Sequence, residues 1–240
     1  MESIFKQIST HKIALSNHSF CQYLRQTENV TEQSLSFIPT MTFFVLGFRD
    51  ILESMRVNNP KQDVEKMLNA HCDEDSEHWR WFIEDLNKLG MHTDYWGGDV
   101  SAILHHIWSP DHYIVRDLVY RVIHHVHSSR SAHEKLIIVE CLEAAFAAFI
   151  ENLNPLTKRL GIYQKLDYFG KHHYEQEADH AAGSWIDGEK ASSQDNSINI
   201  SDIREKHIKG VVDDIFTGFN HMFTCWQNAL NSDIRTRAIA

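Results

Sequence analysis

Leu136-Ile-Ile-Val-Glu140-Cys-Leu-Glu143-Ala-Ala-Phe-Ala-Ala-Phe-Ile150 decides how this chain folds. The segment has helical length and composition, and it is apolar on every side apart from Glu140 and Glu143. A surface helix shows one apolar stripe, whereas a helix apolar all round is surrounded by protein. Residues 132–153 are therefore expected to form the central helix of a bundle, ended by Asn154-Pro155. Glu140 and Glu143 stand three residues apart on one side of it, so at least one acid is carried into the core.

The rest of the chain also reads as helix. Gly (10) and Pro (4) are scarce in 240 residues, which leaves little turn chemistry for a sheet protein. Residues 2–27 form one or two helices. Thr31-Glu-Gln-Ser34 opens an apolar helix to Val57, with Pro39 inside it, and Asn58-Asn-Pro60 breaks the chain. A helix over 62–89 stops at Gly90. Gly97-Gly98-Asp99 introduces a short helix to Trp108, and Ser109-Pro110-Asp111 caps another to His127. After the central helix come helices over 165–185 and 201–230. The polar stretch 187–198 is expected to be a mobile loop and 231–240 a frayed tail. No linker of domain-boundary quality interrupts the sequence, so 1–240 reads as one all-α domain of about eight helices.

Composition narrows the function classes. A net charge of −10 argues against binding nucleic acid through a broad basic face. No uninterrupted apolar run of about 18 residues is present, and the first residues lack the apolar run of a signal peptide, so a cytoplasmic protein without a membrane span is expected. Cys21, Cys72, Cys141 and Cys225 are scattered without CxxC spacing and read as free thiols. The departure from ordinary composition is histidine, with 17 residues.

Those histidines are arranged. His71-Cys-Asp-Glu-Asp75-Ser-Glu-His78 reads HxxxDxxH, and His173-Tyr-Glu-Gln-Glu177-Ala-Asp-His180 reads HxxxExxH. Positions i, i+4 and i+7 share one stripe of a helix. In the first segment that stripe continues the apolar face of Val64, Met67, Leu68, Phe82, Leu86 and Leu89, while Asp73, Glu77, Arg80, Glu84 and Asn87 face away. In the second, Leu166 and Phe169 precede His173 on the same stripe. Two imidazoles and a carboxylate thus replace Leu-type residues on a core-facing stripe, twice. A buried carboxylate must be paired or metal-bound. Two His and one carboxylate are a ligand set of non-haem Fe(II) with positions left open for O2, and two such sets facing each other suit a dinuclear centre in a bundle. The expected ligands are His71, Asp75, His78, His173, Glu177 and His180, with Glu143 preferred as the bridging acid and Glu140 as alternate. The alternative is a buried polar network without metal.

The chain resembles the haem-oxygenase-like helical superfamily, which includes TenA-type thiaminases, pyrroloquinoline quinone synthase and the haem-oxygenase-like diiron oxidases. Asn17-His18-Ser-Phe20 with Leu24 is similar to the family's opening. The segment from His71 to Gly90, centred on Asp75-Ser-Glu-His78-Trp, resembles the helix carrying the first His ligand. Leu166-Asp-Tyr-Phe-Gly170 followed by His173, Glu177 and His180 resembles the helix carrying the last ligands. The resemblance implies a haem-oxygenase-like bundle and an O2-dependent oxidase or oxygenase acting on a small organic molecule. It also implies one or two iron ions or manganese, O2 as co-substrate, and a homodimer, which the family often forms. The family's acid on the second core helix is missing: Ile38-Pro-Thr-Met-Thr-Phe-Phe-Val-Leu46 has none, and Met41 or Thr42 takes its place, so either His71 is the stand-in ligand or one metal site is weak or absent.

Other readings compete. A TenA-like hydrolase would use Cys141 as nucleophile but gives four core-facing His no task. A cofactorless oxidase of the same fold would keep the polar network. Haem binding through His18 lacks a glycine-rich distal helix, and the His-Asp dipeptide of HD phosphohydrolases and the HExxH of zinc proteases are absent. A non-catalytic partner protein would explain the clusters His105-His106 and His124-His125 with His127, expected as surface or hydrogen-bonding groups, but not the triads. Phe43, Phe44, Phe146 and Trp79 are candidates for a pocket wall. Phe216, Phe219, Met222, Phe223 and Trp226 are expected to close the last helix over the core. Tyr174 and Cys72 stand beside the triads.

Overall fold

In the computed structural model, which describes residues 1–28, 30–91, 100–178 and 202–237, every regular element is helical and no strand occurs among the described residues. The elements are α1 (Glu2–Ser16), α2 (Ser19–Gln26), α3 (Thr42–Met55), α4 (Asp63–Asp75), α5 (His78–Lys88), α6 (Val100–Trp108), α7 (Tyr113–Ser128), α8 (Ala132–Arg159), α9 (Lys171–Ala178) and α10 (Asp202–Arg237). Short 3-10 turns lie at Glu32–Leu35, Ile38–Met41 and Pro110–His112.

The central helix is α8. Helices α1, α2, α4, α7 and α10 pack on it, and α3 packs on α7 and α4. Its apolar residues, from Leu136 through Phe149 to Leu156, are almost all buried, each full burial contributing about 1.5–3 kcal/mol. The aromatic rings of Phe20, Phe37, Phe149, Phe223 and Trp226 interlock between α2, the Phe37 turn, α8 and α10, with centroids 4.9–6.3 Å apart.

Several boundaries differ from the sequence reading. Asn154-Pro155 does not end α8: Pro155 lies inside it. The carbonyl it leaves without an amide belongs to Glu151, an exposed residue. The helix ends at Arg159 and is capped at Gly161, whose φ of 70° admits a glycine-terminated cap in which the Ile162 N–H donates to Thr157 O at 3.0 Å. The same cap forms at Gly90 (φ 71°), with the Met91 N–H on Leu86 O at 2.8 Å, where the sequence placed a stop. The expected helix from Thr31 is instead two 3-10 turns leading into α3, because Pro39 removes a donor early in the run. The helix expected over 62–89 is broken at Ser76-Glu77 into α4 and α5. The helix expected from Lys165 begins at Lys171, since residues 160–170 form consecutive turns that still bury Leu166 and Phe169.

Helix α10 runs to Arg237, so most of the stretch read as a frayed tail is helical. The expected mobile loop 187–198 and the glycines before α6 lie outside the described residues. By length and composition Gln33–Met55 would suffice to cross a membrane, although no single apolar run marks it; 56% of that window is buried inside the bundle.

Candidate metal centre

Three helices carry acid or imidazole into the space beside α8. His71 and Asp75 come from α4, one turn apart, and are 1% and 2% exposed. His78 is the first residue of α5, beyond the Ser76-Glu77 break. Glu143 comes from α8, and its side chain is 13% exposed. The Nε2 of His71 lies 3.1 Å from Asp75 Oδ2 and 3.6 Å from Glu143 Oε1, so one imidazole stands between two carboxylates. His78 Nε2 lies 3.8 Å from the other oxygen, Asp75 Oδ1. One ligand atom from each of His71, Asp75 and Glu143 falls within 4.8 Å of the others.

The second segment meets the first through its histidine. The His173 ring, on α9, lies 4.5 Å from the His78 ring. His173 is buried, and its Nδ1 is 3.0 Å from the carbonyl oxygen of Tyr168. With Nδ1–H donated to that carbonyl, Nε2 is left as the basic nitrogen, the tautomer suited to a metal ligand. Phe146 and Tyr168 pack around the ring at 4.6 and 4.8 Å, and Trp81 stacks on His78 at 4.5 Å. Glu177 belongs to α9 by its backbone; its side chain and all of His180 lie outside what the structure describes.

Four of these groups open onto one cavity of about 50 Å³. Asp75, His78, Glu143 and His173 border it, and the rest of its lining is mostly apolar, from Met41 and Phe44 on α3 and its preceding turn to Phe219 and Trp226 on α10. Of the expected pocket residues, Phe44, Phe146 and Trp79 line it. Phe43 does not, and packs instead against Trp108 and Tyr120 at 5.8 and 5.9 Å. On the last helix Phe219, Met222, Phe223 and Trp226 line it, whereas Phe216 stacks on His11 at 4.8 Å. Met41 borders the cavity; Thr42 turns back, its hydroxyl donating to Pro39 O at 2.8 Å.

Glu143 is the acid of α8 that reaches both cluster and cavity, and Glu140 is in neither. Cys141 is fully buried in α8, does not line the cavity, and has its thiol pushed well above the ordinary range by burial and then by the neighbouring Glu140 charge. Cys72 is likewise fully buried, its thiol pushed up to about 11, chiefly by desolvation. The four cysteines are free. Of the histidine clusters, His125 Nε2 makes a hydrogen bond with Asp214 at 2.8 Å, and the His106 ring lies 4.0 Å from His112; these contacts are separate from the centre.

Asp85 escaped the sequence reading. It is fully buried on α5 and accepts the backbone N–H groups of Asp167 (2.9 Å) and Phe169 (3.0 Å). It therefore shapes the turn that ends in Tyr168 O, the partner of His173. Its signal was an acid seven residues after His78, on the same apolar stripe as Phe82 and Leu86.

The donor set fits a metal ion. Two carboxylates sharing one imidazole in a buried space repel each other unless a cation or protons intervene, and His with carboxylate between facing helices is how bundles hold such ions. No protein-family model matches the chain, and no curated protein matches it.

Proposed function

We propose that the chain is a non-haem iron enzyme, with one or two metal ions, that uses O2 to oxidise or oxygenate a small organic molecule. The observation that carries the reading is the clustering of buried His71 and Asp75 with Glu143, and the convergence of Asp75, Glu143, His78 and His173 on one largely apolar cavity. His71, Asp75, His78, Glu143 and His173 would hold the metal, with Glu177 and His180 completing the set from the second motif. Iron bound there would supply the redox chemistry with O2; manganese would take the same ligands. The resemblance to the haem-oxygenase-like diiron oxidases points the same way.

The surrounding residues have definable tasks. Tyr168 O orients His173 by accepting its Nδ1–H. Phe146 and Trp81 keep the imidazoles of His173 and His78 in place by ring packing. Phe44, Phe149 and Phe219 exclude bulk water, so a reactive oxidant meets substrate rather than solvent. A TenA-like hydrolase using Cys141 gains nothing from the geometry, because that thiol is sealed inside α8.

Elemental analysis after anaerobic Fe(II) loading tests the proposal. The wild type should retain one or two equivalents after desalting. His78→Ala and His180→Ala should lose most of it, and His125→Ala, at the distant hydrogen bond to Asp214, should not. A wild type that binds neither iron nor manganese, with variants folded normally, would mean a buried polar network and a cofactorless chemistry.

A further inference from the structure

The cavity wall also carries an unanswered hydrogen-bond donor. Trp226 on α10 is 2% exposed and lines the cavity, and its indole Nε1–H has no acceptor in the protein. Buried donors are paired in the great majority of cases, and each exception calls for a reason. A Phe would fill much the same apolar space, and the neighbouring rings of Phe149 (5.5 Å) and Phe223 (5.4 Å) show that the site accepts one. Trp79, also on the lining, has a buried N–H without an acceptor too, but its ring is partly exposed and has the guanidinium groups of Arg49 and Arg80 over it, a setting more polar than that of Trp226.

Charge narrows the ligand. Among the described lining residues there is no Lys or Arg, and the ionisable groups other than Tyr168 are Asp75, His78, Glu143 and His173 of the proposed centre. A phosphate, or a carboxylate held away from the metal, would find no counter-charge there and would be desolvated uncompensated. Size narrows it further. A cavity of about 50 Å³ holds roughly three to five water-sized groups, which is on the order of one six-membered ring.

Building on the reading of the cavity as a substrate site, we propose that its aromatic wall is a subsite for a neutral, single-ring-sized apolar compound bearing one hydrogen-bond acceptor, which takes the Trp226 N–H. The wall formed by Phe44, Phe149 and Phe223 supplies the apolar contact. The indole N–H fixes which end of the molecule lies against Trp226 and so which end faces Asp75, His78 and Glu143.

The probes are acetophenone and its near-isostere α-methylstyrene, in which a methylene replaces the carbonyl oxygen. Both are titrated calorimetrically into the full chain, metal-free and Fe(II)-loaded without oxygen. Acetophenone should be preferred, and that preference should fall by about ten-fold in Trp226→Phe, the scale of one buried hydrogen bond. Trp79→Phe should keep it. In the wild type, the Trp226 indole proton resonance should move downfield with acetophenone and not with α-methylstyrene, a readout that needs no variant to fold. An equal preference in wild type and Trp226→Phe would overturn the inference, since a water would then satisfy the N–H. Loss of the preference in Trp79→Phe instead, or no binding of either probe at millimolar concentration, would also overturn it. Because the metal-free protein is tested as well, failure of iron binding and failure of this subsite are read separately.

Discussion

Replacing Asp85 by Ala should loosen the turn that presents His173. The side chain is fully buried and makes two hydrogen bonds to backbone amides, at 2.9 and 3.0 Å, with Lys88 Nζ at 3.5 Å. Hydrogen bonds to a charged acceptor contribute about 1.5–3 kcal/mol each, so the two amount to about 3–6 kcal/mol. Burial offsets part of this: it raises the Asp85 carboxyl above its ordinary value, and the Phe169 and Asp167 amides and Lys88 pull it back only in part. A net loss of about 2–4 kcal/mol remains, or a drop in Tm on the order of 10 °C for a chain of this size. Asp85→Asn keeps one acceptor and should lose about half as much. Lys88→Ala, half-exposed, should cost under about 1 kcal/mol.

The pH dependence carries its own sign. A carboxyl whose folded pKa is raised binds its proton more readily in the folded state. Its contribution therefore falls as pH rises between the unfolded and folded values, and the Asp85→Ala penalty should not shrink on acidification through that window. Calorimetry at neutral pH and near pH 4 measures both effects. A Tm shift under about 2 °C, or a penalty that vanishes at the lower pH, would refute the anchoring role.

Two further outcomes are expected. Gly170→Ala would bring a Cβ against the carbonyl oxygens of Leu166 and Tyr163, backbone atoms that cannot step aside, so urea denaturation should show a loss of at least about 2–3 kcal/mol. In the native protein a thiol reagent should modify Cys225 alone, because Cys21, Cys72 and Cys141 are fully buried and burial pushes the first two up to about 12 and about 11; Cys225→Ser should abolish the rapid phase, and rapid labelling of Cys141 would reopen the nucleophile reading.

Local patterning already specified an all-helical chain, a helix at the centre of the bundle from 132, a stop at Gly90, acid and imidazole on a core-facing stripe at 71–78, and a core-facing imidazole at His173. Periodicity and end signals are short-range, and they survive in the folded protein because helices form from neighbours along the chain. Only the tertiary structure decided the rest. It brought Glu143 within reach of His71 and Asp75, since both acids lie on one side of α8 and which of them meets that pair depends on where α4 packs. It broke the first motif between Asp75 and His78, which lets His78 turn toward His173 on another helix. It carried α8 through Pro155, at a point where the residue left without an amide partner, Glu151, is exposed. It gave Asp85 its amides from a turn more than eighty residues away. Each of these depends on which surface of one helix another covers, a quantity set by packing between distant segments and absent from any local pattern.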